Sequence, residues 1–418
     1  MFILSESSNL CSTQRVWKSS VRNALKGLFF RTLRTLNAII PKKDNQILFA
    51  SVPDYSDNAK ALYEYVVKNH KHLQYDIIWL VNDPKILQIL NQEKINAHLN
   101  MSICGLCCLL RSKYIIGTHN HGSRVKVKNQ YQINLWHGMP LKSMGYMMDS
   151  ATDDVLKDVK IGGDANDMLV ATSSTTRNAL AASFLTDPRK IVVTGQPRND
   201  YLFMKADKRH RLARLLEMDL SKYRRLLLYM PTFRVGYGRV DGIPEHLDIL
   251  MSESFNKFLE DNNILFVLKM HPSEEYYPFS QDKVKQCNRN VVILKTECLD
   301  NHLTSIYEIL QDFDILITDY SSIYFDFLLL NRPIIFFAFD LEQYRQNRGF
   351  SLEPYDFWAP GPKVTTIETL VEEIQKCISN PDYYEKERKT VNNLINQFQD
   401  GNSCERVWEQ ILYKVRSQ

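Results

Sequence analysis

The sequence predicts an α/β protein with two Rossmann-like parallel-sheet domains that face a cleft, preceded by a basic amphipathic helix. The chain has 418 residues, 44% of them hydrophobic and 24% charged, so it is long enough to bury two cores of ordinary domain size. After Pro41, short apolar runs alternate with longer helix-compatible stretches, which is typical of strands and helices around parallel sheets. The expected segments are a basic amphipathic, membrane-associating segment at 1–44, an N-terminal Rossmann-like domain at 45–204, a C-terminal Rossmann-like domain at 205–380, and C-terminal helices at 381–418.

The apolar runs fall into two sets, separated by the charged helical stretch from Lys205 to Tyr223. The strands predicted for the first sheet are Ile47 to Ser51, Ile77 to Val81, Tyr114 to Thr118, Ile133 to Trp136, Met168 to Thr172 and Lys190 to Thr194. Those predicted for the second are Leu226 to Met230, Leu265 to Lys269, Val291 to Leu294, Ile315 to Thr318 and Pro333 to Ala338. The stretch from Ile367 to Arg416 predicts helices broken near Pro381 and Gly401.

The N-terminal segment combines positive charge with apolar periodicity. No acidic residue occurs between Arg15 and Lys43, and apolar residues recur there every three or four positions among the cations. This pattern suits a helix that lies in the plane of an anionic membrane surface, and it equally suits a first helix packed on its own protein. No apolar run is long enough to cross a bilayer, so we expect any membrane contact to be peripheral.

Composition excludes several classes of protein. A net charge of +4 is too small to indicate nucleic-acid binding. No cleavable signal peptide is visible and the eight cysteines are unevenly spaced, which favours the cytoplasm. The cysteines Cys104, Cys107 and Cys108 precede His119 and His121, but this spacing matches no familiar zinc site. We expect no metal centre.

Polar residues follow the predicted strands at the edge where parallel sheets bind ligands. His137 and His271 come directly after two strands, and Thr232 with Arg234 follow a third. Imidazoles suit proton transfer near neutral pH, and a guanidinium suits phosphate oxygens. The sequence therefore predicts a site that transfers a phosphoryl group from a nucleotide-activated donor.

The turn from Thr318 to Ser322 is the predicted anion cradle. Ser321 and Ser322 lead into the helical segment Ile323 to Leu330, so their hydroxyls and the free backbone N–H groups should face an anion such as a diphosphate. Asp326 shares a helical face with Ser322, and we expect it to hold a ligand hydroxyl, to orient the serine or to cap the helix.

Together these motifs carry a family resemblance that covers roughly residues 45 to 410. The stretches Leu135 to Lys142, Gly195 to Asp200, Pro231 to Arg234, Met270 to Pro272 and Thr318 to Ser322 occur in the order found in the CDP-glycerol glycerophosphotransferases of teichoic-acid and capsule synthesis. The chain resembles that family, and Arg348 to Phe350 and Asp400 with Gly401 extend the match.

The resemblance implies a GT-B-like enzyme that transfers glycerol phosphate from CDP-glycerol to an acceptor hydroxyl and releases CMP at the cytoplasmic face of the membrane. It implies catalytic roles for His137 and His271. The substrate-binding positions are Gly138, Met139, Pro140, Leu141, Arg198, Thr232, Phe233, Arg234, Lys269, Met270, Ser321, Ser322 and Asp326. Met139 stands where the family usually has threonine, and Lys269 where arginine is frequent.

We interpret His137 as the base and His271 as a donor to developing charge, although the two roles are interchangeable at this stage. The expected partners are CDP-glycerol, a lipid-linked or polysaccharide acceptor and an anionic membrane surface, with no nucleic acid and no required cofactor. The oligomeric state is left open.

Four alternatives remain open from the sequence. They are a ribitol-phosphate or other CDP-alditol transferase, a GT-B glycosyltransferase that uses a nucleotide sugar, a non-catalytic membrane scaffold, and a metal-dependent phosphoesterase built on His119, His121 and His137.

Overall fold

Two parallel sheets, each covered by helices, organise the chain. The computed structural model describes residues 25, 27–205, 209–232, 239–240, 243–244, 247, 252–272, 275 and 290–416. The predicted binding residues Phe233 and Arg234 lie outside this range, as do residues 1–24 and 26 of the predicted amphipathic segment.

The first sheet has seven parallel strands in the order β3-β2-β1-β4-β5-β6-β7. These strands are β1 Lys43–Ala50, β2 Asp76–Val81, β3 Ala97–Leu99, β4 Ser112–Gly117, β5 Tyr131–Asn134, β6 Met168–Ala171 and β7 Ile191–Val193. The chain builds outward from β1 through β2 to β3, and then returns to the other side of β1 with β4. The gap between β1 and β4 is therefore the topological switch point, where open parallel sheets bind their ligands.

The second sheet has six strands in the order β12-β11-β8-β13-β14-β15 and repeats this winding. Its strands are β8 Arg225–Met230, β11 Ile264–Leu268, β12 Val291–Ile293, β13 Ile315–Thr318, β14 Ile334–Phe337 and β15 Lys363–Val364. Its switch point lies between β8 and β13. The short strands β9 Arg239–Val240 and β10 Ile243–Pro244 pair antiparallel outside the two main sheets.

Every strand predicted from the sequence is present, with ends that differ by a few residues. The prediction missed the edge strands β3 and β15, of three and two residues, and the two-residue strands β9 and β10. Such short segments carry too few apolar positions to show a period.

Helices connect the strands and cover both faces of each sheet. The first described helix, α1, spans residues 27–39. The helices of the first half are α2 Asp57–Asn69, α3 Pro84–Gln92, α4 Ile103–Arg111, α5 Asp153–Ala165 and α6 Ser174–Phe184. Those of the second half are α7 His210–Leu216, α8 Glu253–Asp261, α9 Thr296–Asn301, α10 Ile323–Phe327, α11 Leu341–Arg348, α12 Tyr355–Trp358, α13 Ile367–Ser379, α14 Glu385–Ile395 and α15 Ser403–Arg416. The last three confirm the predicted helix breaks near Pro381 and Gly401.

The last helix returns to the first sheet. Val407 and Trp408 of α15 are buried in the same core as Phe49 and Trp79. Conversely, Leu141 from the first half packs in the core of the second sheet. Each half therefore contributes side chains to the core of the other, and the domain boundaries at residues 44, 204 and 380 stay a prediction.

The described part of the predicted amphipathic segment packs on the first sheet through one face. Phe30 and Leu33 contact a core formed by residues such as Leu48 and Ile115. Asn37 is buried and donates from Nδ2 to the Val125 carbonyl at 2.7 Å. The other face carries exposed apolar side chains, namely Leu28, Phe29, Leu36 and Ile39. No helix in the described ranges is long and apolar enough to cross a membrane.

Candidate active site

A cavity of about 1330 Å³ lies between the two sheets, and both switch points open into it. On one side it is lined by His119 after β4 and His137 after β5. On the other it is lined by Thr232 after β8, His271 after β11 and Ser321 with Ser322 after β13. Because parallel strands end at the same edge of a sheet, residues far apart in sequence meet here. This volume is large enough for a nucleotide-sized donor.

The His137 side chain is held by a tightly specified turn. Trp136 adopts a left-handed backbone with φ of +57°, and its N–H donates to Asn134 Oδ1 at 2.9 Å while its carbonyl accepts from Asn58 Nδ2 at 2.8 Å. Nδ1 of His137 lies 3.1 Å from the Thr118 carbonyl oxygen. Because a carbonyl only accepts, Nδ1 carries the proton, and Nε2 of the neutral ring carries a lone pair.

The electrostatic surroundings keep His137 neutral. Burial lowers its pKa, and the Arg198 guanidinium lowers it further, whereas Asp57 and the Thr118 carbonyl act in the opposite direction. The net effect is a pKa below the usual 6.5. A neutral imidazole with a free Nε2 is the form that a general base requires at neutral pH.

His271 follows β11 on the opposite side of the cavity and is more exposed than His137. Burial lowers its pKa, and the ammonium groups of Lys269 and Lys142 add to the shift against the effect of Glu275. A neutral imidazole still carries one N–H group and donates a hydrogen bond from it.

The serine turn has open hydroxyls. The carboxylate of Asp319 accepts from the backbone N–H of Thr232 at 2.9 Å and of Tyr320 at 2.5 Å, which joins the ends of β8 and β13. Ser321 and Ser322 line the cavity, and in the described part of the chain their hydroxyls make no hydrogen bond. These hydroxyls are thus available to a ligand.

Lys269, a predicted phosphate-binding cation, is already surrounded by acceptors. Its Nζ donates to Glu275 Oε1 at 2.7 Å, to Thr296 Oγ1 at 2.8 Å and to the Met270 carbonyl at 2.8 Å. Three acceptors use the three protons of an ammonium group. The side chain borders the cavity, but its charge is compensated by Glu275.

Arg198 and Asp326, two further predicted binding residues, lie behind the cavity wall and bind each other. Arg198 Nη2 donates to Asp326 Oδ2 at 2.8 Å, while Nη1 donates to Asp57 at 2.8 Å and to the His137 carbonyl at 2.9 Å. The guanidinium also stacks 4.0 Å from the Tyr307 ring. This buried network joins the two halves of the chain beneath His137. Arg198 therefore holds the backbone of His137 in place and does not itself border the cavity.

The segment after His137 forms the floor between the halves. A Cβ on Gly138, which has a φ of +141°, would lie 3.1 Å from Ser322 Oγ, so glycine permits this close approach. Pro140 and Leu141 border the cavity, and the buried Met139 accepts at Sδ from Thr176 Oγ1 at 3.1 Å. Met270 is buried against the second sheet, in a core with residues such as Phe266, and it borders the same cavity.

Residues 141–143 and 349–351 form a cross-domain strap above this floor. Ser351 N–H donates to the Leu141 carbonyl at 2.8 Å, and Ser143 N–H donates to the Gly349 carbonyl at 3.2 Å. The strap places Lys142 of the first half and Arg348 of the second on the cavity wall. These two cations were not among the predicted binding residues.

Comparison with known proteins assigns the chain to a family. A sequence model described as CDP-Glycerol:Poly(glycerophosphate) glycerophosphotransferase matches residues 32–413. The chain belongs to this family. Its relatives include a teichoic acid poly(glycerol phosphate) polymerase of Bacillus spizizenii, 28% identical over 390 residues that cover 90% of this chain and 93% of the relative. A teichoic acid glycerol-phosphate transferase of Staphylococcus aureus is 26% identical, with 94% and 100% covered.

Solved structures agree on the fold. A structure of the wall teichoic acid polymerase TagF superposes with a TM-score of 0.76 at 22% identity, covering 96% of this chain and 98% of that one. A UDP-GlcNAc 2-epimerase from Neisseria meningitidis gives 0.53 at 13% identity, covering 88% and 100%. The predicted family, the α/β fold of two Rossmann-like sheets and the transferase class are therefore confirmed.

Several residues that border this candidate site were not among the predicted site residues. His119 closely follows β4 but was considered only as a possible metal ligand, whereas Asp57 begins α2 several residues after the end of β1 and gave no strand-end signal. Lys142 and Arg348 both belong to motifs that carried the resemblance, although neither was among the predicted binding residues. Within the described residues, no group of three or more His, Cys, Asp or Glu side chains has the geometry of a metal site.

Proposed function

We propose that this protein transfers glycerol phosphate from CDP-glycerol to a hydroxyl of a membrane-associated or polysaccharide acceptor and releases CMP. The observation that carries the proposal is the single cavity between two switch points, with the free Nε2 of His137 on one wall and the open serine turn on the other. Family membership supplies the donor class.

In the proposed reaction, the acceptor oxygen attacks the phosphorus that bears glycerol, in line with the bond to CMP. A new phosphorus–oxygen bond forms as the bond to the CMP oxygen breaks. Nε2 of His137 takes the acceptor proton, because its ring is neutral and its Nδ1–H is engaged by Thr118. His271 donates its N–H to a phosphate oxygen on which charge develops. No bound cofactor enters these steps.

The proposed phosphate-binding site combines two serine hydroxyls with Lys142 on the cross-domain strap and Arg348, the residue directly before the second part of the strap. Lys269 is compensated by Glu275, and Arg198 is compensated by Asp57 and Asp326. Arg348 is exposed on the cavity wall and has no carboxylate within 4.0 Å in the described part of the chain. We therefore assign the stabilisation of the leaving CMP to Arg348, Ser321 and Ser322, with Lys142 beside them on the cavity wall.

A membrane-linked acceptor fits the exposed face of α1. Leu28, Phe29, Leu36 and Ile39 point away from the protein, and Arg31 and Arg34 lie between them in sequence. Such a surface binds anionic lipid by burying apolar side chains next to phosphate head groups. In this proposal the helix holds the enzyme at the cytoplasmic face of the membrane, where a lipid-linked acceptor is presented.

The test is donor consumption by the purified protein. CDP-glycerol, CDP-ribitol and a set of UDP-sugars are supplied with and without a lipid-linked acceptor, and CMP or UDP release is measured. CMP release from CDP-glycerol supports the proposal. CDP-ribitol is the second candidate because a teichoic acid ribitol-phosphate primase of Bacillus spizizenii is 26% identical to this chain over 401 residues. UDP release, or folded protein inactive with every CDP-alditol, would refute the assignment.

A separate flotation experiment tests the membrane surface. Vesicles of phosphatidylglycerol should bind the protein more strongly than vesicles of phosphatidylcholine, and salt should weaken the binding. Exchange of Leu28 and Phe29 for serine should reduce binding. Exchange of the exposed Leu394, on a helix far along the chain, is the matched control. Equal binding by all proteins would exclude α1 as the contact surface.

A further inference from the structure

A pair of stacked imidazoles lies at the first switch point. The rings of His119 and His137 are nearly parallel, with an interplanar angle of 13° and centroids 4.3 Å apart. They follow the neighbouring strands β4 and β5, whose register pairs Gly117 with Asn134 and brings the two following turns together. Both rings border the cavity.

One residue orients both rings. The Thr118 carbonyl accepts from His137 Nδ1, and the Thr118 hydroxyl hydrogen-bonds to His119 Nδ1 at 2.9 Å. That hydroxyl also accepts from the Val52 N–H at 3.2 Å, so the end of β1 fixes the arrangement. A parallel stack directs ring nitrogens side by side instead of toward one point, which is unsuitable for joint metal ligation.

Burial disfavours protonation of both stacked imidazoles. Burial lowers the pKa of His119 to about 3, with His137 and His121 adding to the effect. His121 packs edge-on against His119, and burial lowers its pKa to about 4. His119 is therefore a neutral aromatic ring at neutral pH. It covers one face of His137 without offering it a carboxylate.

We propose that His119 is a positioning residue, which holds the His137 ring so that Nε2 faces the acceptor and keeps water from one face of that ring. This inference deepens the proposed function, because it rests on His137 acting as the base. The other groups that face His137 are Asp57 from α2, Arg198 from residues 197–203 and Trp136 beside it. Asp57 and Arg198 act on His137 through their charges, whereas His119, like Trp136, meets the His137 ring by ring contact.

Two substitutions separate ring contact from nitrogen chemistry. His119→Ala removes the stack, and His119→Phe keeps an aromatic ring without nitrogen. We expect His119→Ala to lower kcat by about tenfold to a hundredfold, since misplacement of a reacting group has effects of this size. The KM for CDP-glycerol should not change. His119→Phe should recover most of the lost kcat. His98→Ala, on edge strand β3 and outside the cavity, is the matched control.

The pH profile gives a second readout. Loss of the stacked ring exposes His137 to water and weakens the burial that lowers its pKa, so the acidic limb of kcat/KM should move to higher pH in His119→Ala. His119→Phe should keep the wild-type limb. Equal losses in both variants would mean that a His119 nitrogen takes part directly, and unchanged kcat and pH limb in both would mean that the stack is incidental. Either result overturns the proposal.

A measurement without turnover separates this inference from the proposed reaction. With histidine nitrogens labelled by ¹⁵N, the wild-type protein should show His137 as the neutral tautomer with the proton on Nδ1, and His119→Ala should show a mixture of tautomers. An unchanged tautomer in His119→Ala overturns the positioning role even if catalysis is confirmed. If the wild-type enzyme releases no CMP, the reaction assignment fails, while the tautomer still reports on the stack.

Discussion

The two walls of the cavity differ in how firmly their imidazoles are held. His137 is bonded at Nδ1 to Thr118 and contacts the rings of both Trp136 and His119. His271 lies at the exposed end of β11, where the two cations Lys269 and Lys142 disfavour its protonation. A ring with a fixed tautomer suits removal of a proton from one defined oxygen, whereas a more exposed neutral ring suits donation of a hydrogen bond from its N–H group to a phosphate oxygen. On the basis of these different surroundings we propose His137 as the base and His271 as the hydrogen-bond donor, two roles that the sequence left interchangeable.

The substitution His137→Gln gives the largest expected effect and tests directly whether His137 is the base. Glutamine keeps polarity but has no basic nitrogen, so we expect kcat to fall by about 10³, within the range of general acid–base catalysis. Binding of CDP-glycerol, measured by calorimetry, should be retained because the donor phosphates bind at the opposite wall. A variant that keeps wild-type kcat would remove His137 from the chemistry.

His271→Gln should have the smaller catalytic effect. Removal of one donor to developing charge typically costs about 10² in kcat, and glutamine retains an N–H group that offsets part of this loss. Because His271 also meets the donor in the ground state, KM for CDP-glycerol should rise as well. The comparison of the two histidines is reversed if His271→Gln abolishes turnover while His137→Gln only weakens donor binding.

The sequence predicted the strand-end residues well because their position follows from parallel topology alone. His137, His271 and Ser321 all needed only a recognisable apolar run before them. By contrast, the pairing of Arg198 with Asp57 and Asp326 joins residues separated by more than a hundred positions, and no periodicity encodes it. The Arg198 guanidinium, which the sequence suggested for phosphate binding, is therefore already paired with carboxylates of the protein.

The same limit explains two other results. The stack of His119 on His137 depends on the register of β4 against β5, which sequence reasoning did not assign. Glu275 follows Lys269 by six residues, which is close enough in sequence for the two to pair. No sequence pattern predicted this pair, and only the folded structure shows it. Electrostatic compensation is a property of the folded chain, and for this reason candidate cations were harder to predict than candidate bases.

The proposed phosphate contact of Arg348 can be tested by comparing substitutions of Arg348 and Arg345, which lie on the same helix. Arg348→Gln should raise KM for CDP-glycerol about tenfold, as expected for loss of one charge-assisted hydrogen bond to phosphate. Arg345 lies one turn earlier and pairs with Glu342 and Glu353 away from the cavity, so Arg345→Gln is a matched control that removes the same charge. Equal changes in KM for both variants would point to a general effect of charge and would leave the wall without its proposed cation.

The smallest effect concerns the acidic limb of the wild-type pH profile. The pKa of His137 in the folded protein is lowered from 6.5. The imidazole therefore stays mostly neutral until the pH falls to this lowered pKa. Activity that depends on the neutral ring is therefore fully present above pH 6.5 and is lost as the pH falls through the lowered pKa. Titration of kcat/KM for CDP-glycerol should place the limb midpoint below 6.5, and His271→Gln should leave this midpoint in place if His137 alone determines it. A midpoint above 6.5, or a limb that disappears in His271→Gln, would transfer the role of base to the more exposed histidine.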